Sequence, residues 1–321
     1  LAEGSRFVVI AALLGNGAIA VTKYIAAWFT GSSAMLAEAV HSTVDTGNQI
    51  LLLVGLHRAE RPADRGHQFG HGMELYFWAF VVAILLFGLG AGVAIYEGIL
   101  KLLDPHPIRD AGWNYAVLGA AMVFEALSFT AAWREFARVR GKAPFLRALR
   151  QSKDPALFTV LFEDSAALAG LCIAFAGVFL SDRMGLPWGD GAATLAIGIM
   201  LALAALALAI ETKSLLIGEA ANPAMVEDII RTALRAPFVE AVNEVRTMHF
   251  GPADILVNLS VDARDDLRAG EIERGVAALE DELKARHERI SRVFIEIESA
   301  AESAREIPKG DTGGDPGVSA T

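Results

Sequence analysis

Six runs of mostly apolar residues, at about 7–29, 33–56, 75–100, 112–134, 157–180 and 188–210, dominate the first two thirds of this chain. A helix needs about 20 such residues to cross the hydrocarbon core of a bilayer. Inside lipid every backbone polar group must find its partner within the protein, so helices are what such runs can form. The runs lift the hydrophobic share to 54% of 321 residues, above the ~45–50% of a soluble domain. A purely soluble enzyme and a disordered chain are thereby excluded. The first run has a long apolar body and no small-residue cleavage site, unlike a cleaved signal peptide. The chain begins at Leu1 rather than Met, which leaves its true start open.

The connections differ in charge. The first turn, Thr30-Gly31-Ser32, has none; the 3–4 loop holds Lys101 and Arg109, and the 5–6 loop Arg183. Arg58, Arg61 and Arg65 lie in the 2–3 loop, and Arg134, Arg138, Arg140, Lys142, Arg147, Arg150 and Lys153 around the 4–5 loop. Lys and Arg collect on the cytoplasmic side, so the 2–3 and 4–5 loops, both termini and the last hundred residues are expected in the cytoplasm. Gly15, Gly17, Gly88, Gly90 and Gly92 are small residues of the kind that let helix backbones approach.

Past the sixth run the pattern changes to that of a soluble domain. Residues 224–236 carry a helical apolar period ended by Pro237, 241–250 and 254–262 read as strands, 269–287 as an amphipathic helix, and 291–298 as a third strand. The expected organisation is a six-helix membrane domain over 1–213, an αββαβ domain over 214–299, and a disordered end over 300–321 where Glu, Ser, Gly and Pro dominate.

Ionisable residues inside the runs are costly in lipid and therefore functional candidates. Glu38, His41 and Asp45 follow one another at spacings of three and four in the second run, on one helical stripe. Two carboxylates and an imidazole suit a divalent metal, imidazole favouring zinc and its neighbours. The fifth run holds Glu163 and Asp164; side chains of adjacent residues diverge by about 100°, so one of the two is expected at a given site. One such carboxylate would join His41 and Asp45 in a tetrahedral site, zinc being typically four-coordinate. A buried hydrogen-bond network or a metal-free proton relay would use the same residues. Glu125 and Glu97 are further acids in the runs, and Asn16 and Gln49 are suited to bonds between helices. The 2–3 loop places Asp64, His67 and His71 within eight residues, a candidate second metal site.

The rest of the chain narrows the function. Cys172 is the single cysteine, so neither a disulfide framework nor a thiolate cluster is available. A net charge of −10 argues against nucleic acid as a partner. No Gly-x-x-x-x-Gly-Lys run is present for a nucleotide.

These features together resemble the cation diffusion facilitators. The carriers are Gly31-Ser32-Ser33-Ala34-Met35-Leu36-Ala37-Glu38-Ala39-Val40-His41-Ser42, the Phe69-Gly70-His71-Gly72 loop, and the αββαβ end. Tyr76-Phe77-Trp78-Ala79-Phe80, Ile95-Tyr96-Glu97-Gly98 and Leu161-Phe162-Glu163-Asp164-Ser165 are similar to the bacterial branch related to the ninth human zinc transporter. The resemblance covers about residues 5–298. It implies a six-helix α-helical membrane bundle with a cytoplasmic ferredoxin-like α+β domain, working as a homodimer in a bacterial inner membrane. It implies a secondary transporter, not an enzyme, that exports zinc from the cytoplasm in exchange for H+, with no tightly bound cofactor. The family pairs two second-span ligands with two from the fifth. His41, Asp45 and Asp164 match three of them, and the fourth falls at Val160. Glu163, Glu38 or a water is then expected to fill that place. A carboxylate-rich set with one histidine makes manganese or iron the alternative cargo. Asp64 and His71, with His67 between them, match the family's loop site. Asn243 and Asn258 stand where zinc-binding tails often have His, so the tail is expected to dimerise and to bind metal weakly or not at all. A passive metal channel and a membrane metal sensor are the rival functions.

Overall fold

The computed structural model describes residues 2–30, 33–105, 111–140 and 154–300; within these, residues 2–4, 26–27, 29–30, 33–41, 111, 113 and 139–140 are described by their backbone only. Arg109, Lys142, Arg147, Arg150, Lys153 and the end from 301 lie outside the described residues. The chain divides into two compact units after Gly218, with Phe250–Pro252 grouped with the first.

The first unit contains six long helices among the described residues: α1 (Ala2–Thr30), α2 (Ser33–Ala59), α3 (Glu74–Leu103), α4 (Ala111–Arg140), α5 (Pro155–Arg183) and α6 (Gly189–Ile217). Five are long and apolar enough to cross a membrane. The sixth, α2, has the length, at 27 residues, but gives up apolar character to Ser42, Thr43, Asp45, Thr46, Asn48 and Gln49. Large apolar side chains such as Leu14, Leu127 and Leu203 stand more than half exposed on these helices, as lipid-facing surfaces require and aqueous ones rarely tolerate.

Local signals set the helix ends. Asp154 caps α5, its Oδ1 accepting from the backbone N–H of Ala156 at 3.1 Å and Leu157 at 3.3 Å, with Pro155 in the first turn. Its Oδ2 accepts from Ser5 of α1, tying two helices together at this buried end. Gly218 ends α6 at φ +111°, a backbone conformation that glycine adopts without steric cost. Within α3, Leu86–Ala91 form a π-helical turn between two α-helical stretches, the kind of local insertion that bends a helix.

In the bundle α1 packs on α2 and α4, α4 on α5, and α6 against both α3 and α5. Tyr76, Phe136, Phe158, Leu161 and Leu208 share one buried cluster. Gly15, Gly17 and Gly88, among the glycines the sequence pointed to, are not points of close backbone approach. A Cβ on Gly17 or Gly88 would meet nothing within 4 Å, and one on Gly15 would meet Ser128 Cβ at an ordinary 3.9 Å. Among the tight positions, backbone meets backbone at Gly98, where a Cβ would lie 2.6 Å from Leu195 N, and at Gly198, where it would lie 2.7 Å from Ile95 N. These two residues face each other's helices and set the α3–α6 contact.

The second unit runs α7 (Pro223–Ala233), β1 (Val239–Gly251), β2 (Asp254–Ala263), α8 (Ala269–Arg286) and β3 (Ile290–Ile297). The sheet order is β1-β2-β3, with β2 and β3 parallel and Val257 beside Val293, Leu259 beside Ile295. Alternation buries Val257, Leu259 and Val261 against Ile229, Leu279 and Leu283, so helices cover one face of the sheet. Helix α7 stops at Ala233, short of Pro237. Tighter bonds from Arg235 N to Thr232 O at 3.2 Å and Ala236 N to Ala233 O at 3.0 Å finish its last turn.

Candidate functional site

The polar stretch of α2 meets the acidic turn of α5 inside the bundle. Positions 38, 41 and 45 lie on one stripe of α2, and for Glu38 and His41 the described structure is the helix backbone. Asp164 of α5 is 1% exposed and its Oδ2 accepts a 2.7 Å hydrogen bond from Ser128 Oγ of α4. Its neighbour Glu163 accepts from Asn48 Nδ2 at 3.2 Å on Oε1 and from Gln49 Nε2 at 3.0 Å on Oε2, both on α2. The sequence suggested that only one of these adjacent acids would face a site. The structure turns both inward, Glu163 to α2 and Asp164 to α4, and the charge of Asp45 acts on each. Val160 is fully buried one turn before Asp164 and carries no ligating atom.

Two charged residues complete the surroundings. Glu125 of α4 is 9% exposed, one turn before Ser128, and the charges of Asp164, Asp45 and Lys23 act on it. Lys23 of α1 is buried and donates to Ser42 Oγ at 2.9 Å. Sequence reading missed Lys23, Asn48 and Ser128. Lys23 was open to discovery as an ionisable group inside a span. Ser128 was not, because serine is frequent at helix interfaces in membranes for packing alone.

This cluster sets four carboxylates, Asp45, Glu125, Glu163 and Asp164, beside one lysine in a bundle where charge is costly. A divalent cation can balance such a group, and so can protons. An arrangement that accepts either is chemically suited to exchanging one for the other.

The 2–3 loop forms a separate cluster. Asp64 Oδ1 accepts from the backbone N–H groups of Gly66 and His67, each at 2.7 Å, which folds the loop around its carboxylate. Its Oδ2 lies 3.0 Å from His71 Nε2; the His67 ring places Nδ1 3.5 Å from Oδ1. The two imidazole rings sit 4.3 Å apart. One ligand atom from each of the three residues lies within 4.8 Å of the others, the one such group among the described residues. The bond to His71, helped by the loop N–H of His67, holds the Asp64 carboxyl down to about 2, so it is an anion at any working pH. In the second unit Asn243 is a structural amide, its Nδ2 donating to Ser260 Oγ at 3.3 Å and Glu298 O at 2.8 Å.

Acidic side chains buried within a bundle of membrane-length helices are the features of this unit that call for a function, and comparison with known proteins gives its family. Residues 9–217 match the cation efflux transmembrane domain, and the chain belongs to that family of multi-pass membrane proteins. It is 32% identical over 263 residues to a proton-coupled zinc antiporter, SLC30A9, mitochondrial, of Xenopus laevis, covering 81% of this chain and 47% of the relative. The human protein of the same name is 30% identical, with 81% and 46% covered. The chain thus spans about half the length of these relatives. The cation-efflux pump FieF of Klebsiella pneumoniae is 27% identical over 258 residues, covering 80% of this chain and 81% of the pump.

Proposed function

We propose that the protein exports a divalent cation, zinc foremost, from the bacterial cytoplasm in exchange for protons, working as a homodimer with both termini cytoplasmic. The observation that carries this reading is the buried polar cluster between α2, α4 and α5, in which Asp45 and Asp164 share one electrostatic environment. His41, one turn earlier on the same stripe of α2, is the third ligand in this reading. Metal ligands must shed protons before binding. In the inward-facing state His41, Asp45 and Asp164 release protons and take the ion; rocking of the bundle then presents the site outside, where protons reload the ligands and displace it. His41 suits this coupling because imidazole titrates near neutral pH. The relatives named as proton-coupled zinc antiporters support both the ion and the exchange.

The oxygen-rich donor set favours a second reading, a manganese or iron exporter of the same mechanism, since hard oxygen ligands suit manganese. Asp64, His67 and His71 hold a second ion on the cytoplasmic face in this account, and the αββαβ domain joins two copies. Glu163 and Glu38 are the candidates that the sequence offers for the fourth ligand in place of Val160.

The test is transport in sealed vesicles by Asp45→Ala and Asp164→Ala. Each variant should fold and lose transport. Uptake at the wild-type rate by either would remove that residue from the site.

A further inference from the structure

The fourth ligand has a better source than Glu163 or Glu38, and it lies on α4, the helix that also supplies the Ser128 hydroxyl to Asp164. We infer that Glu125 of α4 ligates the transported ion together with His41, Asp45 and Asp164. This rests on the transport site proposed above and goes beyond it by adding a third helix to the donors.

Three observations carry it. Glu125 is nine-tenths buried, and its Oε2 has no hydrogen-bond partner among the described residues. A buried carboxylate oxygen left in that state is costly and calls for a ligand. Second, Glu125 precedes Ser128 by three residues and so shares its face of α4. Ser128 hydrogen-bonds Asp164 at 2.7 Å, which aims that face at the site. Third, Asp164 and Asp45 are the carboxylates whose charges act on Glu125; the oxygens of the three are more than 4.8 Å apart as a set, so the ion draws them together when it binds. Glu163 is differently placed, since each of its oxygens already accepts from an amide of α2. Its role is to fix α5 against α2 and to add negative charge behind the site. Lys23, whose charge reaches Glu125 from α1, partly offsets the extra anion while the site is empty.

The experiment uses the full chain, purified in detergent, with Cys172→Ala as the background so that no native thiol remains. Glu125→Cys is loaded with Co2+, whose visible d–d bands report binding. A thiolate bonded to cobalt adds a sulfur-to-metal charge-transfer band, which a merely structural role for position 125 would not produce. We expect that band. Calorimetry with Zn2+ on Glu125→Gln should show affinity lowered by more than about tenfold, the lower edge of what even outer-shell changes cost, while Glu163→Gln changes it less than Glu125→Gln does. Cobalt bound to Glu125→Cys without the charge-transfer band, or zinc affinity in Glu125→Gln equal to wild type, overturns the inference. Asp45→Asn and Asp164→Asn run alongside. If they bind zinc as wild type does, the proposed transport site itself fails. If they lose zinc while Glu125→Gln keeps it, the failure is confined to Glu125.

Discussion

Removing one hydroxyl at the centre of the bundle gives a sharp test of how the site is held. Ser128 Oγ donates to Asp164 Oδ2 at 2.7 Å, with both residues buried. A hydrogen bond to a charged partner contributes about 1.5–3 kcal/mol. At about 1.36 kcal/mol per factor of ten, losing it corresponds to roughly 10–150-fold in affinity, if the bond is made fully to the metal-bound carboxylate. Loss of a group that orients a metal ligand typically costs about 10–100-fold. Ser128→Ala should therefore weaken zinc binding about 10–100-fold in calorimetric titration of the purified full chain. Ser128→Thr keeps the hydroxyl and should recover most of the affinity. The two variants differ in one donor, so their ratio isolates the hydrogen bond from general loosening of the α4–α5 contact. Equal affinity in Ser128→Ala and wild type would refute the claim that α4 positions Asp164. So would equal losses in the alanine and threonine variants, because those would point to packing instead.

Other expectations follow from single contacts. Gly98→Ala places a Cβ against the backbone of Leu195 and should destabilise the bundle by about 1–3 kcal/mol, the usual effect of overpacking; Gly17→Ala, with open space around it, should leave the detergent melting temperature unchanged or raised. Asp64→Ala removes the carboxylate that gathers His67 and His71 and should lower the zinc stoichiometry of the full chain by one, whereas an unchanged count would mean the loop holds no ion. In the second unit the bond from Arg286 holds the Asp228 carboxyl below its usual range, with His287 adding to it. A depressed folded value means the contribution to stability is present above the unfolded carboxylate range and lost as pH falls through the folded value. Hydrogen-exchange protection of α7 and α8 should decline in acid, and Asp228→Asn should reduce both the protection at neutral pH and that decline.

The fold was readable because apolar run length and strand alternation are long-range statistical signals. Each of the six runs became a helix, and Val257, Leu259 and Val261 entered the core of the second unit as their alternation required. The exact ends were less legible. The helix over 224–236 closes at Ala233 because its last residues take a tighter turn before Pro237, a choice no periodicity records. Glycine was less legible for a related reason. Sequence shows where glycines are, yet Gly98 and Gly198 became the contact points because α3 and α6 cross there. The buried polar cluster was legible in Asp45, Glu163 and Asp164, which stand out as acids in apolar runs, and opaque in its supports. Asn48, Ser128 and Lys23 act across helices, and only the packing of α1, α2, α4 and α5 brings them to Asp164, Glu163 and Glu125. The loop cluster was legible outright, since Asp64, His67 and His71 lie close in sequence and a short turn gathers them.

The central claim is exchange of a divalent cation for protons. Its most direct measurement is zinc flux into proteoliposomes containing the full chain, recorded with and without an imposed pH gradient, alongside manganese and iron. Protons should move opposite to zinc, the gradient should drive zinc against its own concentration, and Asp164→Ala should abolish both fluxes together. Zinc flux that only runs down its own gradient and ignores pH would contradict the account and mark the protein as a passive channel.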